Sequence, residues 1–179
     1  MYAIRRELKL NNKEKTLMSQ CCGYSRFVYN YGLNLIKESW GFEGIKGSDS
    51  KRITAIKKVF TNITKKRPEF DWCNQLSSRI YQNTFRDLTK AFSNWRNPEL
   101  KAEMPTLKTK KSGQSFTVDN SSGLVTVSAG SRIKIPTLGT FRLKEAIPYT
   151  CASQTFTISK DGGKWFVSFA VKACHYTIP

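Results

Sequence analysis

One histidine, His175, and 13 acidic residues are nearly all the acid–base and metal-binding chemistry that 179 residues provide. Asp49, Asp71, Asp87, Asp119 and Asp161 are scattered, with no spacing that implies a metal-bound carboxylate pair. A metal-dependent nuclease centre needs several carboxylates converging on its ions. P-loop, G-x-S-x-G and supported Cys/His motifs are also missing. Five cysteines, Cys21, Cys22, Cys73, Cys151 and Cys174, make no C-x-x-C pair. The odd count reads as free thiols rather than disulfides or a zinc site. No cofactor, metal or catalytic residue is therefore expected. Runs of about 18 apolar residues are absent, which excludes an apolar spanning helix. The N-terminus lacks the apolar stretch of a signal peptide. The expectation is a cytoplasmic, nucleoid-associated protein with no membrane partner. Internal repeats and low-complexity tracts are also lacking.

What the chain does have is positive charge. Thirty Lys+Arg stand against the 13 acids, for a net charge of +17 and a pI of about 9.9. With 39% hydrophobic and 12% aromatic residues, it suits a folded protein rather than a basic tail. Such a chain needs a polyanionic partner. The charge is spread out: residues 1–46 hold 8 basic and 4 acidic residues, 47–100 hold 11 and 5, and 101–179 hold 11 and 4.

Periodicity divides the chain into three. Residues 1–11 alternate, with Ile4, Arg6, Leu8 and Leu10 on one face, the period of a half-buried strand. Residues 12–100 read as helical. Asn12 is placed as an N-cap with Glu14 in the first turn, and Leu17, Cys21, Tyr24, Val28, Tyr31 and Leu35 form an apolar stripe. Gly23 and Gly32 either weaken this helix or admit close packing, and Gly41, Gly44 and Gly47 make a loop. Ile53, Ile56, Phe60 and Ile63 suggest a second helix, ended before Pro68. A third runs from about Asn74 to Arg96, with Leu76, Ile80, Thr84, Leu88, Phe92 and Trp95 on one side. Residues 101–179 read as β, with short runs at 116–118, 124–127, 132–135 and 140–143. A closing hairpin of 154–159 and 164–171 is expected around Asp161 and Gly162. The lone first strand needs partners, and only the C-terminal sheet offers them. The expected fold is α+β, a small antiparallel, wedge-like β-barrel interrupted by a helical recognition domain.

Candidate contacts follow from residue type. Lys108, Lys110 and Lys111 lie between helices and sheet and suit phosphate contact. So do Lys51, Arg52, Lys57, Lys58 and the Lys65, Lys66, Arg67 cluster along the second helix, and Arg132 and Lys134 in the sheet. Arg79, Gln82, Asn83, Arg86 and Lys90 lie off the apolar stripe of the third helix. Arg, Asn and Gln are types that read base edges bidentately. In the first helix, Phe27 and Val28 read as core. Arg26, Tyr29 and Asn30 either contact nucleic acid or, for Asn30, cap a neighbouring backbone. Asn120, Ser121, Ser122 and Gly123 read first as a turn.

Ser25, Arg26, Phe27, Val28, Tyr29 and Asn30 resemble the N-terminal region of the TnpB, or OrfB, family of transposon-encoded RNA-guided DNA nucleases, relatives of miniature type V CRISPR effectors. The similarity continues from Gln82 to Phe92, from Met104 to Lys111, at Gln114, Ser115 and Phe116, from Ile133 to Gly139, and in the closing hairpin. It implies a wedge-like barrel split by a recognition domain. It also implies as partners a guide RNA, double-stranded DNA and either a separate RuvC-like nuclease polypeptide or a second copy. Ser78, Arg79, Gln82 and Asn83, with Asn120, Ser121 and Ser122, match the positions that recognise the DNA motif beside the target. Ser78 and Arg79 depart from the family's usual types, so the motif itself does not transfer. The family's RuvC-like domain and zinc ribbon have no counterpart before Pro179. The resemblance thus implies a binding module without nuclease activity of its own. The alternatives are one subunit of a split endonuclease and a stand-alone DNA-binding regulator of transposition or transcription.

Overall fold

A computed structural model describes residues 2–41, 47–119, 126–127, 130–135, 137–147 and 155–171. The chain forms two compact units, one of residues 1–22 with 113–179 and the other of 23–112.

The first unit is a sheet. Its strands are β1 (Tyr2–Lys9), β2 (Gln114–Asp119), β3 (Thr126–Val127), β4 (Arg132–Ile135), β5 (Gly139–Leu143), β6 (Thr155–Asp161) and β7 (Lys164–Val171). All pair antiparallel, in the order β2-β6-β7-β1-β5-β4-β3. β1 sits in the middle. Seven of its residues, Tyr2 to Leu8, face β7, and Leu8 and Lys9 face Leu143 and Arg142 of β5. The first strand therefore does join the C-terminal sheet. The six longer strands curl as a half-barrel rather than a closed barrel. Among the described residues, the end strands β2 and β3 do not pair with each other.

Period-2 alternation explains the burial. Ile4 and Leu8 of β1 are buried with Phe116, Val118, Ile133, Ile135, Phe141, Leu143, Phe156, Ile158, Trp165, Val167 and Phe169. Burying each such side chain is worth roughly 1.5–3 kcal/mol. Arg6 shares that inner phase, and its Nε is buried without a partner while Nη1 donates to the Arg5 carbonyl at 3.1 Å. In the closing hairpin β6 runs to Asp161, two residues further than expected. The turn is Gly162-Gly163, with φ of 54° and 79°. Two positive φ values are what a two-residue turn of type I′ demands. At Gly130 (φ 80°) an added Cβ would overlap the Ile147 carbonyl, so the backbones meet there as only glycine allows.

The second unit is helical. α1 (Asn12–Ser39) contributes its later turns, followed by α2 (Asp49–Asn62) and α3 (Ser78–Arg96). α1 is capped one residue earlier than expected. Asn11 Oδ1 accepts from Glu14 N at 2.9 Å, and Glu14 Oε2 accepts from Asn11 N at 2.8 Å, a reciprocal capping box. Its buried face holds Met18, Leu33 and Ile36 besides Cys21, Tyr24 and Val28, whereas Leu17, Tyr31 and Leu35 are only half-buried. α3 starts at Ser78 rather than Asn74. Pro68–Gln75 forms 3-10 turns, and the Ser77 hydroxyl accepts from Arg79 N at 3.2 Å to begin the helix. α2 stops at Asn62, leaving Ile63 52% exposed instead of on the stripe.

Aromatic rings fill this core. Phe60 lies 5.3–5.7 Å, centroid to centroid, from Tyr31, Tyr81 and Phe85. Such pairs add about 0.5–1.5 kcal/mol each beyond burial. Gly32 admits close packing: a Cβ there would stand 2.7 Å from Leu88 Cδ2 and 3.1 Å from Phe85 Cε1. Gly23 has no such neighbour.

Candidate nucleic-acid interface

In the sheet unit the exposed face carries the signal. Lys9 on β1 lies opposite Arg142 on β5, and Arg142 lies opposite Arg132 on β4. All three are exposed, and Lys134 follows two residues along β4. Directly opposed residues project from the same face, and like charges so placed destabilise a sheet by roughly 0.2–1 kcal/mol per pair. Two acids of this face, Glu7 and Asp161, are engaged elsewhere. Glu7 accepts from Lys144 Nζ at 3.1 Å, and Asp161 pairs with Arg5 at 3.1 Å. Arg5 also lies 3.9 Å over the Phe166 ring. An anion is the natural counterpart to the Lys9–Arg142–Arg132 row. Of these, Arg132 and Lys134 were legible by residue type, while Lys9 and Arg142 were not, because only strand register aligns them. Asn120, Ser121 and Ser122 lie outside the described residues, as do Cys151, Cys174 and His175.

In the helical unit many candidates have internal tasks. The Asn30 side chain holds the backbone of Lys108 at both ends: Nδ2 donates to its carbonyl at 2.9 Å and Oδ1 accepts from its amide at 2.8 Å. Of the two readings of Asn30, the cap on a neighbouring backbone is the one seen. Lys108 Nζ lies 4.0 Å over the Tyr29 ring, and Tyr29 is buried. Surrounding protein pulls the Lys108 ammonium below its usual range, with Asp87 opposing that effect. Burial raises Asp87, and Lys108, Arg86 and Lys90 partly offset the shift. Burial also raises the Tyr29 hydroxyl, with Asp87 adding to it. Thr109 and Ser112 bond each other reciprocally, Thr109 N to Ser112 Oγ at 2.8 Å and Ser112 Oγ to Thr109 O at 2.9 Å. That turn presents Lys110 and Lys111 exposed at its tip.

On α3, Ser78 is exposed and Arg79 and Gln82 are half-exposed, but Asn83 is only 2% exposed. Asn83 Nδ2 donates to the Arg79 carbonyl at 2.8 Å, and its Oδ1 accepts from Arg86 Nη1 at 3.0 Å. Its amide faces the interior, because the apolar arc of α3 is wide enough to take in Tyr81, Asn83 and Phe85. Asn83 thus positions Arg86, which remains exposed. On α2, Lys51 and Lys58 are exposed and Lys57 is half-buried. Arg52 is drawn inward, donating to the Gly47 carbonyl at 3.3 Å and Ser39 Oγ at 3.4 Å. Arg26 is half-buried on α1. The described thiols, Cys21, Cys22 and Cys73, are buried: burial and neighbouring Cys22 push Cys21 up to about 12, and burial pushes Cys73 up to about 11. Among the described residues no group of three or more His, Cys, Asp or Glu is placed to hold a metal ion. No described helix is long and apolar enough to cross a membrane.

A helix-turn-helix domain of the OrfB type associated with IS605 matches residues 1–44. InsQ of Escherichia coli (strain K12), named as an inferred RNA-guided DNA endonuclease, is 25% identical over 173 residues, 97% of this chain. These matches make the chain similar to the N-terminal region of TnpB/OrfB-family proteins. It spans 41% of the length of InsQ. A second relative, virulence protein VsdF of Salmonella dublin, is 34% identical over 91 residues, 49% of this chain and 76% of VsdF. Within the stretch that matches the family's helix-turn-helix domain, the described residues hold β1 and one continuous helix, α1. The family's transposon association, together with DNA binding as the general property of that domain, makes nucleic acid the expected class of partner.

Proposed function

We propose that this chain is the nucleic-acid-binding part of an RNA-guided DNA-targeting protein. In this reading it grips a structured guide RNA and docks on duplex DNA beside the target, without cutting DNA by itself. The observation that carries the reading is the row Lys9–Arg142–Arg132, three opposed cations on one exposed sheet face. A polyanion converts their mutual repulsion into attraction and releases counterions. Lys110 and Lys111 supply further backbone contacts, while Ser78, Arg79 and Gln82 provide base preference on α3. Asn120, Ser121 and Ser122 are assigned to motif recognition through the family pattern alone. Guide pairing provides the remaining specificity, as in other RNA-guided systems.

The test is to purify the chain from its native host, sequence the RNA that accompanies it, and titrate that RNA and duplex DNA at several salt concentrations. The expected result is a defined RNA species and a steep log–log salt dependence, about 0.9 per duplex phosphate contact. Binding to DNA with no associated RNA would favour a stand-alone regulator. Chelator-sensitive cleavage by the purified chain alone would overturn the claim that it does not cut. Cleavage that requires an added RuvC-like polypeptide would favour a split endonuclease.

A further inference from the structure

The helical unit has an open cleft of about 740 Å³ where the C-terminal ends of α1 and α3 meet the N-terminal end of α2. That size falls within the roughly 300–1,000 Å³ of small-ligand sites. Trp40, Asp49, Phe92, Ser93 and Arg96 are among its walls. Trp40 keeps 36% of its surface accessible, yet its ring is held from three sides. Its Nε1 donates to Asp49 Oδ1 at 3.2 Å, Phe92 meets it edge-on at 5.9 Å, and Trp95 lies 6.0 Å away.

Arg96 is fixed beside this ring. Its Nε donates to Asp49 Oδ2 at 2.9 Å, and its guanidinium carbon lies 4.1 Å over Trp95 and 5.6 Å from the Trp40 centroid. Its terminal nitrogens make no hydrogen bond among the described residues. Ser50 and Ser93 expose hydroxyls at the rim. Asp49 is neutralised by Arg96, so the cleft presents an oriented π face, free guanidinium donors and small polar groups. The chemistry that complements all three is a flat heteroaromatic ring joined to an anion. A chain of net charge +17 also selects against cationic ligands.

The geometry points to this cleft as the seat of one unstacked nucleobase, from a bulge or single-stranded segment, lying on Trp40 with its phosphate on Arg96. This rests on the reading that the chain binds nucleic acid. Base–aromatic stacking is largely indifferent to sequence, so the site senses the absence of pairing.

The test compares two RNA hairpins of the same stem, one fully paired and one with a single bulged nucleotide, by fluorescence anisotropy. The intact chain is expected to prefer the bulged hairpin by about fivefold or more, the low end of one stacked base. Trp40→Ala is expected to erase that preference and leave the paired hairpin unaffected. Because Trp40 also packs on Phe92, Ser93→Trp serves as a second variant, filling the cleft from an exposed position. A bulge preference that survives Ser93→Trp, or equal losses on both hairpins, would overturn the assignment. Equal binding of both hairpins by the intact chain would sink the cleft alone. Binding of neither would sink the nucleic-acid reading beneath it.

Discussion

The sheet unit and the helical unit carry similar excesses of positive charge but use it in different ways. On the sheet, Lys9, Arg142 and Arg132 face one another and project outward, and no acid answers them within the row. In the helical unit several cations are folded into the architecture. Arg52 holds the start of α2, Arg86 leans on Asn83, and Lys108 lies over Tyr29. Repelling charges raise the energy of the free protein, so removing them should stabilise it while weakening ligand binding. Bonded charges behave in the opposite way. Charge count alone therefore does not identify a binding surface; the presence or absence of internal partners does.

The strongest way to break the comparison is to remove the sheet. Gly130→Ala, forced onto the Ile147 carbonyl at positive φ, is expected to cost about 2–4 kcal/mol, read as a fall in the urea midpoint. Next is the row itself. Arg132→Ala with Arg142→Ala should lower the salt slope for duplex binding by about 2, across all sequences, with stability unchanged or slightly raised. Arg52→Ala should do the reverse, costing about 1 kcal/mol of stability and leaving the salt slope intact. An unchanged slope in the double variant would remove the row from the interface.

The buried thiols sharpen the contrast through pH. Cys21 is held at about 12 and Cys73 at about 11, so both stay protonated in the folded chain while the unfolded chain ionises near 9. Their stabilising effect is complete below pH 9 and is lost as pH rises towards 11 and 12. Each thiol contributes a slope of about 1.4 kcal/mol per pH unit in that window. Thermal melts should show Cys21→Ala flattening the alkaline decline. The smallest effect is expected at Gln82. Gln82→Ala should cost about 1 kcal/mol on the preferred flanking motif and little elsewhere. Equal losses on all DNA sequences would remove Gln82 from base reading.

Local patterns carried much of this architecture. Alternation in residues 2–9 announced a strand, and its lack of early partners pointed to the C-terminal sheet that it joins. Of the stripe read for the third helix, Ile80, Thr84, Leu88 and Phe92 are buried, whereas Leu76 and Trp95 are only half-buried. What failed was what depends on distant residues or on competing caps. Asn11 outcompetes Asn12 because only Asn11 stands three residues before Glu14. Asn83 looked like a surface amide until the buried arc of α3 proved wider than a single stripe. Lys9 and Arg142, 133 positions apart in the chain, become neighbours only through register. The Trp40 cleft was invisible for the same reason, since three helix ends build it.

The central place of β1 has a further consequence, for biosynthesis. Its partners β5 and β7 emerge from the ribosome some 130 to 170 residues later. At roughly 5–20 residues per second, that is a wait of about 7–34 seconds with both edges unpaired. The helical insert is complete well before then, so it has the opportunity to fold while the strand is still unsatisfied. The charges that interrupt the strand, Arg5, Arg6, Glu7 and Lys9, then act as gatekeepers, keeping a nascent edge soluble until its sheet arrives.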